Sequence, residues 1–398
     1  MLLSRRARSI SPSPTLAITA QAKKMKEEGI EVISFGAGEP DFDTPQNIKE
    51  AALKAMREGF TKYTPTSGIE KLKEAIVYKF KRDNNLDYDK SQIIVSSGAK
   101  HSLYNLIQTL CNPDDEVIIP TPFWVSYPEM VKLAEAKPVF VRTSEKGDFK
   151  LSKDKLKGAI SKRVKLIILN SPSNPAGAVY SRKELAEIAK VVLENNLYLV
   201  SDEIYEKIIY GNNEHCSIAS LGEEIKERTI VVNGVSKTYS MTGWRIGYLA
   251  GPVDLVKVLS RLQDHSTSCP NSIAQMAAVE ALIGPQEEVK LMVREFNRRR
   301  RYIVDKLNNI PGISCFNPAG TFYVFPNISK FLGLKFKGKT ISSSSSLASY
   351  LLSEVKVAVV PGIAFGEDNY LRLSYATSLE NIKVGIKRMR EALRKLKS

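Results

Sequence analysis

The stretch Ile230-Val231-Val232-Asn233-Gly234-Val235-Ser236-Lys237-Thr238-Tyr239-Ser240-Met241-Thr242-Gly243-Trp244-Arg245-Ile246-Gly247 carries the most information in this chain. It opens on three β-branched apolar residues, the pattern of a strand buried on both faces. It continues into small and hydroxylated residues that hold two cations, Lys237 and Arg245. No acidic residue lies between Glu227 and Asp254. Cations in apolar surroundings without local counter-charge need an outside anion or lose their charge. A phosphate would satisfy Arg245 and the Ser236 hydroxyl. Lys237, close to a second cation and poorly solvated, is expected to have a lowered pKa, which suits an amine that forms a Schiff base and acts as a base.

The same grammar, a short apolar run followed by polar residues, recurs upstream. Ile93-Ile94-Val95, Val117-Ile118-Ile119, Leu166-Ile167-Ile168-Leu169 and Tyr198-Leu199-Val200 alternate with helical patterns. Leu103, Leu106, Ile107 and Leu110 mark one such helix. This order predicts an α/β fold, a parallel sheet covered by helices, with ligands beyond the carboxyl ends of the strands. The residues after each run are then the informative ones. Ser96-Ser97-Gly98-Ala99-Lys100 opens a helix and can present backbone N–H groups to an anion, or be an ordinary tight turn. Asn170-Ser171-Pro172-Ser173-Asn174-Pro175-Ala176-Gly177 can hold Asn174 rigidly, or be a plain Asn-Pro turn. Asp202 and Tyr205 in Ser201-Asp202-Glu203-Ile204-Tyr205 could grip a heteroaromatic ring, one at a ring nitrogen and one at a ring hydroxyl; a helix cap is the alternative. Arg372, between Leu371 and Leu373, is either an ion-paired structural arginine or a bidentate clamp for a carboxylate.

Length and composition set the frame. With 398 residues and 43% hydrophobic content, two domains are expected. The texture changes past residue 285. A basic helix over about 287–308 precedes strands at Phe322-Tyr323-Val324-Phe325, Val357-Ala358-Val359-Val360 and Leu371-Arg372-Leu373, and a last helix carries Ile382, Ile386, Met389, Leu393 and Leu396 on one face. The expected division is an arm and part of a small domain over 1–46, a large domain over 47–286, and a small α+β domain over 287–398. The arm is expected to pack on the small domain and across a subunit boundary. Gly333 to Ser346 reads as a surface loop.

The net charge of +15 suggests acidic partners, but the basic residues spread along helices without interleaved aromatics. A solvated basic surface that steers dicarboxylates is preferred to a nucleic-acid groove. Arg298 to Arg301 would fan around their helix. Cys111, Cys216, Cys269 and Cys315 are far apart, which argues against metal sites and a disulfide framework and fits a cytoplasmic protein. No apolar run has membrane-span length, and the basic start lacks a signal-peptide core.

Taken together, these motifs resemble the class I aminotransferases of pyridoxal-phosphate (PLP) fold type I. The resemblance runs from Gly36-Ala37-Gly38-Glu39-Pro40-Asp41-Phe42 to Arg372-Leu373-Ser374-Tyr375-Ala376, and Gly234 to Gly247 fits the family's lysine signature throughout. Within the class the chain looks most like bacterial aspartate aminotransferases and the plant and bacterial enzymes that also transaminate prephenate. The resemblance implies a mixed, mostly parallel seven-stranded sheet sandwiched by helices, plus a smaller α+β domain. It implies PLP as cofactor, a homodimer with shared sites, and ping-pong transfer of an amino group between aspartate or glutamate and a 2-oxo acid.

By the same resemblance Lys237 carries the cofactor, Asp202 meets its ring nitrogen, and Asn174 and Tyr205 meet its ring oxygen. Gly98, Ala99, Lys100, Ser236 and Arg245 surround the phosphate, Trp124 stacks on the ring, and Tyr63 reaches the partner subunit's phosphate. Gly38 and Arg372 bind the α-carboxylate, with Trp124 and Asn174 beside the substrate. Lys100 meets the distal carboxylate with Ser13 and Thr15. Two departures stand out: Ala176 replaces a threonine of the family's Asn-Pro-Thr-Gly, and Phe123 stands where tyrosine is common. Among rival readings are other PLP chemistries on this fold, such as C–S lysis or decarboxylation, and a DNA-binding regulator, for which no helix-turn-helix region precedes residue 40.

Overall fold

The structure, a computed structural model, describes residues 3–12 and 14–397. Its centre is a seven-stranded sheet. The strands are β1 (Ile93–Ser96), β2 (Glu116–Thr121), β3 (Lys137–Arg142), β4 (Val164–Asn170), β5 (Tyr198–Asp202), β6 (Thr229–Gly234) and β7 (Gly247–Ala250). Their spatial order is β1-β7-β6-β5-β4-β2-β3. All neighbours pair in parallel except β7, which runs antiparallel to both β1 and β6. The sheet is therefore mixed and mostly parallel, as expected.

The five apolar runs read from sequence are β1, β2, β4, β5 and β6, and every residue of β1 and β6 is buried. Two strands have no such signature. β3 lies at the sheet edge, carries Pro138 and is exposed at Lys137, Phe140 and Arg142, so its short apolar run is not buried on both faces. β7 is four residues long and starts on a glycine. Helices bury both faces. Leu103, Leu106 and Ile107 of α1 (Ala99–Leu110) join Val117, Leu166, Val200 and Ile230 in one core layer. The opposite face is split: Leu185, Ile188 and Val192 cover Ile118, Ile167 and Leu199, while Ala274, Ala277 and Ala278 join Val95, Val231 and Ala250 in the largest cluster. The helix α2 (Ser126–Leu133) follows β2 and packs beside α1.

Beyond the sheet, α3 (Glu287–Asn308) is the long basic helix expected from sequence, with Val289, Met292, Phe296, Ile303 and Leu307 buried. A three-stranded antiparallel sheet follows, built from β8 (Tyr323–Val324), β9 (Val360–Pro361) and β10 (Leu371–Ser374) in the order β9-β10-β8. The last helix, α4 (Leu379–Leu393), lies against α3. The N-terminal segment joins this region through its backbone: Ile33–Ser34 pairs in parallel with Val357–Ala358. Ala22 and Val32 pack there on Leu352 and Ala358.

Two expectations need correction. Gly333 to Ser346 is not a plain loop. Lys335–Phe336 and Lys339–Thr340 form a small antiparallel hairpin, and Ser343 caps the helix Ser344–Val355 in a reciprocal capping box with Ser346. The run Arg298 to Arg301 is not wholly solvated either. Arg299 is buried and pairs with Asp41 at 2.7 Å and Glu295 at 2.9 Å. Arg300 is buried over the Tyr210 ring and donates to the Asn317 side chain and the Pro318 carbonyl. Apart from Glu295, these partners lie outside the helix. All four cysteines are free, and no helix among the described residues is long and apolar enough to cross a membrane.

Candidate active site

The carboxyl ends of β1, β4, β5 and β6 lie along one edge of the sheet, where β8 and β10 approach it. A cavity of about 420 Å³ opens between them. Its lining includes Gly38, Ala99, Lys100, Trp124, Asn174 and Asp202. Tyr205, Ser236, Lys237, Arg245 and Arg372 line it too.

At the floor, Asp202 ends β5 and is 4% exposed. One carboxylate oxygen accepts the Ile204 N–H at 3.3 Å and the other accepts the Tyr127 hydroxyl at 2.6 Å. Burial pushes the Asp202 carboxyl up to about 6 while the Tyr127 hydrogen bond opposes it. The ionised form still predominates at neutral pH. Asn170, at the end of β4, donates to the Asp202 carbonyl and accepts the Asn174 N–H, tying the two strand-end loops together.

Lys237 follows β6. Its Nζ donates to the Gly38 carbonyl at 2.6 Å and has no carboxylate within ion-pair distance among the described residues. Burial is the largest cause that pulls this amine down to about 8. Glu39 opposes the shift, and Arg245, Arg372 and Lys100 add to it.

The phosphate-like end of the cavity is built by α1. Gly98 precedes its first turn with φ of 90°, a conformation that favours glycine. A Cβ at Gly98 would sit 2.1 Å from Arg245 Nη2, so only glycine lets the guanidinium lie across the helix start. A Cβ at Gly247 would meet the Ala99 nitrogen at 2.0 Å, which holds β7 close under the same turn. Arg245 is exposed, not embedded among apolar groups as its neighbours in sequence suggested. It donates to the carbonyls of Thr242 and Ser97 and pairs with no carboxylate among the described residues. The Lys100 ammonium lies 5.0 Å from the Trp124 ring. Partial burial and then Arg245 pull its pKa down.

Arg372 enters from β10 and is 3% exposed. It donates to Asn174 Oδ1 at 3.2 Å and the Gly36 carbonyl at 2.9 Å. Its Nε has no partner, and no acidic group pairs with it among the described residues. The ion-paired structural alternative therefore lacks its counter-charge. A buried guanidinium with a free donor, beside a cavity, is complementary to a carboxylate. Tyr323 of β8 completes this wall. Its hydroxyl lies 3.0 Å from that of Tyr205, and its ring lies 4.5 Å from the Arg372 guanidinium carbon.

Not every expected residue falls here. Gly98 sits behind Arg245, not on the cavity surface. Tyr63 is 92% exposed and away from the cavity of its own chain. Ser13 lies outside the described residues, and the side chain of Thr15 does too. Sequence reasoning also passed over Tyr127, Asn170, Glu39, Thr242 and Tyr323, all on the cavity wall. It passed over a buried polar knot behind Asp202 as well, where Glu203, Glu206 and His215 come within 4.8 Å of one another. Lys79 already pairs with Glu206 there, and Ser201, Ser217 and His215 bond Glu203.

The cavity can hold a dianion at one end, a carboxylate at the other, and a cationic ring nitrogen over its floor, with one low-pKa amine between. This is the donor set that a phosphorylated pyridine aldehyde requires. The family model for aminotransferase class I and II matches residues 30–389. The chain belongs to this family. It is 52% identical over 388 residues to an aspartate aminotransferase of Bacillus sp. (strain YM-2), covering 98% of each chain. It is 49% identical over 393 residues to a probable aspartate/prephenate aminotransferase of Rickettsia bellii, again covering 98% of each. The crystal structure of an aspartate aminotransferase from Rhizobium meliloti superposes with a TM-score of 0.96 at 44% identity and 100% coverage of both chains. The fold is that of these aminotransferases, and the family implies pyridoxal phosphate as cofactor.

Proposed function

We propose that this aminotransferase binds pyridoxal phosphate in the cavity and moves the amino group between L-aspartate or glutamate and 2-oxoglutarate or oxaloacetate. The single observation that carries the reading is the Lys237 amine, without a carboxylate partner among the described residues and lowered to about 8, in one cavity with the buried carboxylate of Asp202 and the buried guanidinium of Arg372. The bound cofactor would supply an aldehyde for the amino group and an electron-withdrawing ring for negative charge developing at the substrate Cα.

The chain's own residues supply the rest. Lys237 Nζ would hold the aldehyde and serve as the base for the Cα proton. The N–H groups opening α1, together with Ser236 and Arg245, hold the phosphate. Asp202 would accept from the protonated ring nitrogen, Asn174 and Tyr205 would serve the ring oxygen, and Trp124 would cover one ring face. Arg372, assisted by Gly38, holds the α-carboxylate and so aims the Cα–H bond at Lys237. Lys100, with Ser13 and Thr15, takes the distal carboxylate. One cavity serves both half-reactions, so the first product leaves before the second substrate enters, a ping-pong order. Tyr63, exposed in the single chain, fits a role at the partner subunit's phosphate in a homodimer. The division into residues 1–46 with 287–398 around 47–286 belongs to the same reading, as does a cytoplasmic setting with no nucleic-acid or membrane partner.

The direct test is the visible spectrum of the reconstituted protein before and after glutamate. Loss of the aldehyde band on adding glutamate, and its return with oxaloacetate, is the expected outcome; a protein that stays colourless contradicts the reading. Prephenate is the second reading, supported by the two carboxylates it shares with aspartate and by the name of the Rickettsia relative. A competition of aspartate against prephenate ranks them.

Two further outcomes are expected. An amine with a pKa of about 8 is roughly a tenth deprotonated at pH 7, several hundred times more than an ordinary lysine. Capture of the cofactor on the apoprotein, fixed by borohydride and read by peptide mass on Lys237, should rise with pH and level off above about 8 instead of above 10.5. Replacing Lys100 with methionine keeps the stem over Trp124 but removes the charge. The ratio of kcat/KM for aspartate to that for a monocarboxylic amino acid should fall about tenfold, the worth of one partly solvated charge-assisted hydrogen bond. Steady-state kinetics with the two amino donors checks it.

A further inference from the structure

Tyr127 stands in the first turn of α2, three residues after Trp124, and is 2% exposed. Its ring meets the Trp124 ring edge-on, with centroids 5.3 Å apart and planes at 81°. Its hydroxyl donates to the Asp202 carboxylate at 2.6 Å. One buried side chain thus touches both groups that would hold the cofactor ring, one at the nitrogen edge and one at the face.

The floor of the cavity needs such a contact. Asp202 sits out of water, and the carboxylate of Glu203 follows it in the chain. Both conditions favour a protonated Asp202. A protonated carboxyl group has lost the negative charge that holds a pyridinium proton, and one of its oxygens has become a donor. The Ile204 N–H reaches the other oxygen at 3.3 Å, a long bond. The Tyr127 bond is the short one. A phenol donating to an ionised carboxylate is charge-assisted and fixes the acceptor's plane.

We infer that Tyr127 is a positioning residue for Asp202, fixing the plane of its carboxylate and keeping it an acceptor toward the ring nitrogen of the cofactor. The inference rests on the reading of Asp202 given above. Tyr127 acts through Asp202 and touches no reacting atom.

The test is a double-mutant cycle on cofactor affinity. Apoproteins of the wild type, Tyr127→Phe, Asp202→Asn and the double variant are titrated with pyridoxal phosphate, and binding is followed by quenching of tryptophan fluorescence. Tyr127→Phe should weaken binding about tenfold in the wild-type background, the loss of one charge-assisted hydrogen bond to a buried carboxylate. It should change binding less than twofold when residue 202 is asparagine. In steady state the same variant should lower kcat and leave KM for the amino donor within about twofold, because Asp202 does not touch that substrate. Unchanged affinity in Tyr127→Phe, or the same loss in both backgrounds, would overturn the inference and leave Tyr127 as packing.

If Asp202→Asn alone binds and turns over as the wild type does, the reading of Asp202 fails instead, and the two failures are told apart. Should Tyr127→Phe not fold, as judged by the melting of its apoprotein, 3,5-difluorotyrosine at position 127 keeps the ring and makes a stronger donor. It should shift cofactor affinity more than twofold in the wild type and not in Asp202→Asn; an unchanged affinity in the wild type refutes the inference.

Discussion

Replacing Lys237 with alanine is expected to abolish transamination while leaving a folded protein. Two separate contributions go at once. The base that takes the Cα proton is worth roughly two to four orders of magnitude, and the covalent anchor that splits the reaction into easier steps adds to this. The rate of the half-reaction with aspartate, read by stopped-flow absorbance on protein saturated with cofactor, should fall by at least about four orders of magnitude. Borohydride should no longer fix cofactor to the chain.

Stability should move the other way. The folded-state pKa of Lys237 lies near 8, below the ordinary 10.5 of an unfolded lysine. Below about 8 the amine is charged in both states, and folding must then bury a charge without a carboxylate partner. This penalty is fully present at neutral pH and fades as pH rises from about 8 to 10.5. Alanine removes it, so the variant apoprotein should unfold at the same or higher denaturant concentration than the wild-type apoprotein at pH 7. Its advantage should shrink by pH 10. Urea melts at the two pH values check this. A wild-type rate in the variant would remove Lys237 from the chemistry altogether.

What was legible beforehand follows from where each residue sits relative to a strand. Asp202 comes just after an apolar run, and Asn174 and Lys237 each lie a few residues beyond one. In an open sheet such positions face the ligand edge whatever the rest of the chain does. Arg372 carried a different mark, an ionised residue inside an apolar strand. Its counter-charge could not be read from sequence, and only the packed structure reveals the free Nε.

Tyr127 and Tyr323 were illegible for the opposite reason. An aromatic residue in an apolar helix or strand looks like core, and both are core except for one hydroxyl. Arg299 and Arg300 lacked any local sign of burial because Asp41 and Asn317 are supplied by distant segments. The antiparallel β7 was hidden because it is short and opens, at the end of the lysine segment, on Gly247, which is small to fit under Ala99. Tyr63 is exposed and away from the cavity within one chain. Its proposed place at a partner subunit's phosphate, and the homodimer with it, come from the family pattern.

Arg372→Ala is expected to have the second largest effect. Its Nη atoms are held by Asn174 and Gly36 while its Nε points to no acceptor, so the guanidinium is set before any substrate arrives. A carboxylate docking there neutralises a buried charge. Truncating one partner of such a pair costs about 2–5 kcal/mol, so kcat/KM should fall about 30- to several-thousand-fold. The loss should be similar for aspartate, glutamate and their 2-oxo acids, since all share the α-carboxylate and meet Arg372 in turn. A simple amine with no carboxylate should react poorly with both proteins and discriminate little between them. Half-reaction rates for an amino acid and the matching amine, measured in wild type and variant, separate this role from a general loss of fold. If the amine and the amino acid suffer equally, Arg372 is a structural support for β10 and the α-carboxylate is held elsewhere. The Tyr323 ring packed 4.5 Å from the guanidinium makes a lysine substitution a poor rescue, because a lysine cannot reproduce both the flat cation over the ring and the fork of donors.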